Sequence, residues 1–363
     1  MKALVLAGGF GTRLRPLTCT RPKQLLPIAD EPSIDWTLRN LSDHGVDTVV
    51  LAVNYMAEAF VRYLGPSKYN LGILYSREER PLGTGGPIKR AQSYLKGEEP
   101  FLVLNGDVIS DIDYGRLLEF HKEKGGLATI GLYNVADPSR YGAVELDGHG
   151  RVRRFVEKPK AGEAPSNLVN AGIYVLDPKI MEYIPEGRRV STETEVFPKL
   201  AQEGQLHGFE FRGLWVDIGT PEDYLHANAL LLARMNGVRT GEGAVVDPSA
   251  QILGPSRIGN GVRIGPRSVV GSNCAIADNV EIGSGCRIEN SIVFPGAVIG
   301  DFSSIRGVIL GENAMLERWV KIESGAIIGD YASIADGVTI TQSVTVCPSK
   351  RVEESILNAG PVM

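Results

Sequence analysis

From Val246 onward an apolar side chain returns at every sixth position: Val246, Ile252, Ile258, Ile264, Val270, Ile276, Ile282, Ile288 and Phe294. After a slip near Val298–Gly307 the same step resumes at Leu310, Leu316, Ile322, Ile328, Ile334 and Ile340. Val262, Ser268, Cys274, Val280 and Cys286, four places after successive anchors, are small or apolar enough to share the interior. Glycine and asparagine sit at the turns between. Repeats of six with these features specify a left-handed parallel β-helix with three short strands per coil. Gln342–Met363 is expected to cap it.

The rhythm before this stretch is different. Apolar runs at Ala3–Ala7, Thr48–Val53, Ile73–Tyr75, Phe101–Leu104 and Ala128–Leu132 alternate with helical patterns at Ile34–His44, Ala57–Leu64 and Gly115–Lys124. That βαβα alternation predicts an α/β domain with a Rossmann-like, mostly parallel sheet. Thr220-Pro221-Glu222-Asp223 starts a final helix with a cap residue, a proline and acids in the first turn. A glycine-rich break at Asn236–Gly243 then sets the expected division at residues 1–236 and 237–363.

In an open parallel sheet, ligands sit beyond the carboxyl ends of strands. The first strand runs out at Leu6 and Ala7 into Gly8, Gly9 and Gly11, whose backbone can approach a ligand closely and point N–H groups at phosphate oxygens. Thr12, Arg13, Arg15 and Lys23 follow, and the cations suit a nucleoside triphosphate. No Gly-Lys-Ser/Thr completes a P-loop, and the dinucleotide fingerprint lacks its third glycine, so a plain strand-to-loop turn also fits. Gly83-Thr84-Gly-Gly-Pro87 is a second glycine loop, readable as a helix cap. Asn105-Gly106-Asp107 ends a buried run in a carboxylate, and Asp217 ends another; alone, each reads as a turn residue. Magnesium takes hard oxygen ligands, commonly one or two carboxylates plus phosphates and water.

Taken together, Gly9-Phe-Gly11-Thr12-Arg13-Leu14-Arg15-Pro16 with Pro22-Lys23 resembles the signature of the sugar-nucleotide pyrophosphorylases. That family joins a sugar 1-phosphate to an NTP. The resemblance implies a nucleotide site at Leu6, Ala7, Gly8, Gly9, Gly11, Thr12, Arg13, Gly83, Thr84 and Gly106, with Arg13 and Lys23 catalytic. It also implies Mg²⁺ on Asp107 and Asp217. Tyr141-Gly142, Glu157-Lys158-Pro159 and Asn170-Ala171-Gly172 are similar to the family's sugar-phosphate segments, which implies sugar contacts at Gly142, Glu157, Asn170 and Gly172 and a phosphate contact at Lys158. Read blandly, Glu157 and Lys158 are a solvated pair before a proline. Ser191–Pro198 resembles an acidic family segment to which no role is given.

Gly83–Pro87 looks most like the loop of the GDP-mannose pyrophosphorylases. This favours GTP and mannose 1-phosphate, with a glucose-1-phosphate thymidylyl- or uridylyltransferase as the alternative. A non-catalytic regulatory subunit would be expected to have lost Arg13, Lys23 or an aspartate; all remain. The five histidines all precede residue 227, so the β-helix lacks the general base of hexapeptide acyltransferases and is read as a regulatory and homo-oligomerisation domain.

A net charge of −5 and a pI near 5.7 argue against a nucleic-acid or anionic-membrane surface. No apolar run reaches the roughly 20 residues of a membrane span, and the N-terminus enters a strand without a leader pattern. Four scattered cysteines without a C-x-x-C pair fit neither zinc nor a disulfide framework. A cytoplasmic protein is expected.

Overall fold

The structure is a computed structural model that describes residues 1–29, 31–97 and 99–362. It forms two compact units: Met1–Phe10 with Ile34–Asp217, and Gly11–Ser33 with the chain from Ile218 onward.

In the first unit, Phe101–Asn105, Lys2–Leu6, Thr48–Val53 and Leu71–Arg77 lie side by side in that order, all parallel. Ala3, Leu4, Val5, Val49, Val50 and Leu51 are fully buried, so these strands read as unbroken apolar runs rather than alternating ones. The sheet is mixed further along. Leu168–Leu176 pairs antiparallel with both Phe101–Asn105 and Ala128–Asn134, and Gly142–Leu146 with Val152–Glu157 forms a hairpin beside it. Only a short turn separates Leu146 from Val152, far less than the dozen or more residues that a parallel crossover needs. The antiparallel pairing is therefore forced locally.

The second unit contains three parallel sheets of eight, seven and six strands, one for each side of a β-helix. Its anchors at Ile258, Val270, Ile276, Ile288, Ile328 and Ile340 are fully buried, as are Val262, Ser268, Cys274, Val280 and Cys286. Phe294 departs from the expected six-step. After Ile288 the interior anchors are Val293, Ile299, Ile305 and Leu310, and Phe294 is buried outside that cluster. Two sides are thus one residue short, from Ile288 to Val293 and from Ile305 to Leu310. Strand pairing accordingly runs Val269 with Arg287 before the slip but Ala275 with Ile292 within it.

The same unit holds the helix Pro221–Met235, capped as its sequence predicts by a reciprocal Thr220–Asp223 box. Its buried Asn228 accepts from Ala29 N–H at 3.0 Å and donates to Asn273 O at 3.2 Å, while the Tyr224 hydroxyl donates to Pro27 O. This helix therefore bonds the Gly11–Ser33 segment on one side and a β-helix corner on the other.

Candidate active site

Within the first unit, the residues singled out from the sequence gather at the carboxyl ends of the parallel strands. Leu6 pairs with both Ala52 and Asn105, Ala7 N–H donates to Ala52 O at 2.8 Å, and Gly106 N–H donates to Leu6 O at 2.9 Å. These bonds fix the strand end from which Gly8 and Gly9 leave. Gly9 is exposed with open space where a side chain would stand, leaving its backbone available to a ligand.

Asp107 and Asp217 are brought together by a two-stranded antiparallel ribbon. Trp215–Asp217 pairs with Val108–Ser110 so that Asp217 stands opposite Val108, the residue after Asp107. Both are half-buried. Two hard oxygen donors held at one end of a two-stranded ribbon suit a divalent cation, which takes one or two carboxylates together with phosphate and water oxygens.

Next to this ribbon lie the sugar candidates. Gly172 adopts φ 72°, and a Cβ there would stand 2.6 Å from Asn105 Nδ2, so only glycine lets Leu168–Leu176 pass this close to the strand leading to Asp107. Asn170 Oδ1 accepts from Gly172 N–H at 3.0 Å and its Nδ2 donates to the Tyr174 hydroxyl at 3.1 Å. The Trp215 indole donates to Ala171 O at 2.9 Å, tying this segment to the Asp217 strand. Gly142 pairs directly with Glu157, and a Cβ on it would meet the Phe155 ring at 2.6 Å and Glu157 Oε2 at 2.9 Å. Burial pushes the Glu157 carboxyl up, with Glu193 adding to the rise and Lys158 opposing it. Lys158 itself is 70% exposed with its ammonium 3.7 Å from Glu157, free to turn toward a phosphate.

The second glycine loop is anchored to the acidic segment that carried no role. Gly85 N–H donates to Val190 O at 2.9 Å, and a Cβ at Gly83 would stand 2.2 Å from that same oxygen. Thr84 Oγ1 donates to Glu193 Oε2 at 2.6 Å and accepts from Thr192 N–H at 2.9 Å. The buried Tyr174 hydroxyl is pushed far up by desolvation and then by Glu193, Glu157 and Asp107. One acidic field therefore spans the anchor of the second glycine loop, the sugar candidates and Asp107.

The remaining candidates belong to the second unit. Thr12–Leu14 is a single 3₁₀ turn entered from Gly11 at φ 60°, and Arg13 on it is exposed. Thr18 Oγ1 donates to Gly11 O at 2.9 Å, and a Cβ at Gly11 would stand 2.9 Å from the Thr18 methyl and 3.3 Å from Lys23 Cβ. The loop thus folds back on itself, bringing Lys23, only 8% exposed, beside Gly11.

One residue escaped the sequence reading. A Cβ at Gly8 would stand 2.9 Å from Glu78 Oε2, so the glycine loop runs against a carboxyl that is 6% exposed and whose Oε1 has no hydrogen-bond partner. Burial pushes Glu78 up to about 7, outweighing the Leu82 N–H and Arg90. The folded value lies above the ordinary one, so the fold favours the protonated form. Its contribution to stability is full below about 4.5 and is lost as pH rises through about 7. Glu78→Gln is therefore expected to raise the unfolding free energy at pH 8 by up to roughly 3 kcal/mol, with little change at pH 4.5. Denaturant unfolding at the two pH values checks this; an equal effect at both would contradict it.

Residues 2–234 match the Nucleotidyl transferase family and residues 238–362 the GMPPB C-terminal domain. The chain is 41% identical over 373 aligned residues to a mannose-1-phosphate guanyltransferase of Emericella nidulans, which covers 98% of each chain. It is 39% identical to that of Schizosaccharomyces pombe over the full length of both, and 39% identical to a mannose-1-phosphate guanylyltransferase catalytic subunit beta of Dictyostelium discoideum over 98% of each. Among solved structures, a putative glucose-1-phosphate thymidylyltransferase from Bacillus anthracis matches with a TM-score of 0.58 at 27% identity, covering 63% of this chain and 94% of that one.

Proposed function

The chain belongs to the nucleotidyl transferase family, and from that membership we propose that it condenses mannose 1-phosphate with GTP to give GDP-mannose and pyrophosphate. The observation that carries the reading is full-length similarity to mannose-1-phosphate guanyltransferases, together with glycine loops and paired aspartates at the sheet end. Nucleotidyltransferases of this kind generally use a divalent metal.

The 1-phosphate oxygen of the sugar attacks the α-phosphorus in line, the α–β bridging bond breaks, and pyrophosphate departs with the electron pair. No covalent enzyme intermediate is required, so the protein acts by positioning and by neutralising charge. Backbone N–H groups of Gly8, Gly9 and Gly11 hold the triphosphate; Arg13 and Lys23 stabilise the charge that builds on the departing pyrophosphate. Lys158 orients the sugar phosphate, and Glu157, Asn170, Gly142 and Gly172 receive the sugar hydroxyls. Asp107 and Asp217 would hold Mg²⁺, which when bound neutralises phosphate charge between the two substrates.

We divide the chain into a catalytic domain, 1–236, and a β-helix domain, 237–363. An exposed Phe302–Trp319 stack with ring centroids 4.4 Å apart supports the β-helix as the surface through which copies associate. All four cysteines are free thiols, which supports a cytoplasmic setting; among the described residues no helix is long and apolar enough to cross a membrane.

The test is pyrophosphate release over a grid of five NTPs against mannose, glucose, galactose and N-acetylglucosamine 1-phosphates. Activity confined to GTP with mannose 1-phosphate is the expected result. Activity centred on dTTP or UTP with glucose 1-phosphate would overturn the substrate assignment and keep the reaction class.

A further inference from the structure

Four β-helix corners use an aspartate in one repeated way. Asp278 Oδ1 accepts from Asn260 N–H at 2.6 Å, Asp301 Oδ1 from Ser284 N–H at 2.6 Å, and Asp336 Oδ1 from Arg318 N–H at 2.7 Å. Asp330 does the same with Glu312 N–H at 2.7 Å. Its second oxygen is used differently. Asp330 Oδ2 accepts from Thr20 Oγ1 at 2.6 Å and from the Arg21 guanidinium at 2.7 Å, and the carboxylate is 1% exposed. By contrast Asp336, paired with Arg318 on the surface, is 48% exposed.

Arg21 is held by more than one group. Its Nη2 also donates to Glu312 Oε2 at 2.5 Å, and the guanidinium lies 5.2 Å from the centroid of the Phe294 ring. Phe294, buried outside the β-helix interior, thus has Arg21 over its ring. The side chain is 19% exposed, so removing either partner leaves a largely desolvated cation with one counter-charge in place of two. Burial alone would lower the affinity of this guanidinium for its proton; Asp330 and Glu312 more than reverse that.

Arg21 stands two residues before Lys23 and eight after Arg13, in a segment built of short 3₁₀ turns and braced internally by Thr18 to Gly11 and Thr20 to Leu17. Such turns are too short to hold a shape alone. We infer that Asp330 and Glu312 are positioning residues for nucleotidyl transfer: by clamping Arg21 they fix the Gly11–Lys23 loop, which makes the β-helix a working part of the catalytic apparatus. This rests on the assignment of Arg13 and Lys23 to the transferring phosphates.

Asp330→Asn is the sharpest variant, because asparagine keeps the Oδ1 that accepts from Glu312 N–H and replaces the charged oxygen that accepts from Thr20 and Arg21 with an amide that can only donate. Misplacing catalytic groups by about 1 Å costs on the order of 10²-fold. Asp330→Asn and Glu312→Gln in the full-length protein are therefore expected to lower kcat for pyrophosphate release by about 10-fold or more, with a smaller change in KM for the sugar phosphate. Asp336→Asn, a matched corner change, should leave turnover at the wild-type level. Arg21→Met combined with Asp330→Asn should be no slower than Arg21→Met alone, because both break one clamp. Hydrogen exchange over Thr12–Leu26 should quicken in Asp330→Asn and not in Asp336→Asn.

Wild-type kcat in Asp330→Asn, equal losses in Asp336→Asn, unchanged exchange in the loop, or strictly additive losses in the double variant would each overturn the inference while leaving the proposed reaction standing. A wild-type protein that turns over no pair of substrates would overturn both.

Discussion

Alanine at Asp107 or Asp217 is expected to lower kcat/KM for pyrophosphate formation by about 10³-fold or more, equivalent to several kcal/mol of transition-state stabilisation. The ribbon that pairs Asp217 with Val108 gives the site its rigidity, and the carboxylates give it its charge. Removing one carboxylate leaves the strands paired, so the loss should fall on catalysis rather than on folding. Half-buried carboxylates facing other acids gain from a bound cation, and Asp107 already contributes to the acidic field around Tyr174. Steady-state kinetics across a Mg²⁺ titration, with circular dichroism as the control for folding, would check this. Near-normal activity in both variants at saturating Mg²⁺ would remove the pair from the mechanism.

Arg13→Ala is expected to lower kcat by about 10³-fold, the scale on which a single arginine stabilises a departing phosphate. Arg13 is exposed on a 3₁₀ turn, so its loss should change unfolding by no more than about 0.5 kcal/mol. Arg13→Lys should recover little, because an ammonium cannot reproduce the planar fork on two phosphate oxygens. Lys23→Ala differs in kind. With 8% of its surface exposed, Lys23 is packed as well as charged, so its removal should cost stability together with rate. Rate constants and melting temperatures measured on the three variants separate these effects; equal kcat values for Arg13→Ala and wild type would contradict the role.

The parts legible in the sequence are those set by local repetition or by adjacent residues. A β-helix repeats one environment, so the hexad anchors appear as a period, and the capped helix at Thr220 is read from four consecutive residues. In sequence, Phe294 falls on the expected six-step because Ile292-Val293-Phe294 offers three apolar residues in a row, and the phase is settled only by which one packs inward. The antiparallel strands of the first unit were hidden for a related reason, since a strand's apolar content does not record its partner's direction. Asp107 and Asp217 could be paired only through the family resemblance; the ribbon that joins them is a tertiary fact.

Glu78 and Asp330 left no signal at all. Glu78 lies among charged neighbours, Arg77, Glu79 and Arg80, and its burial against Gly8 depends on a loop 70 residues away in sequence. Asp330 shares its local pattern with other corner aspartates, and its partner Arg21 is 309 residues distant. Residues of this kind act through long-range contacts that no spacing announces.

The central claim is transfer of a nucleotidyl group, and the measurement that tests it most directly follows the label from GTP labelled separately at the α and γ phosphates, with mannose 1-phosphate and Mg²⁺. Nucleotidyl transfer places the α label in GDP-mannose and the γ label in pyrophosphate, in equal amounts. A γ label carried onto the sugar phosphate, or an α label released as GMP without sugar attached, would contradict the account.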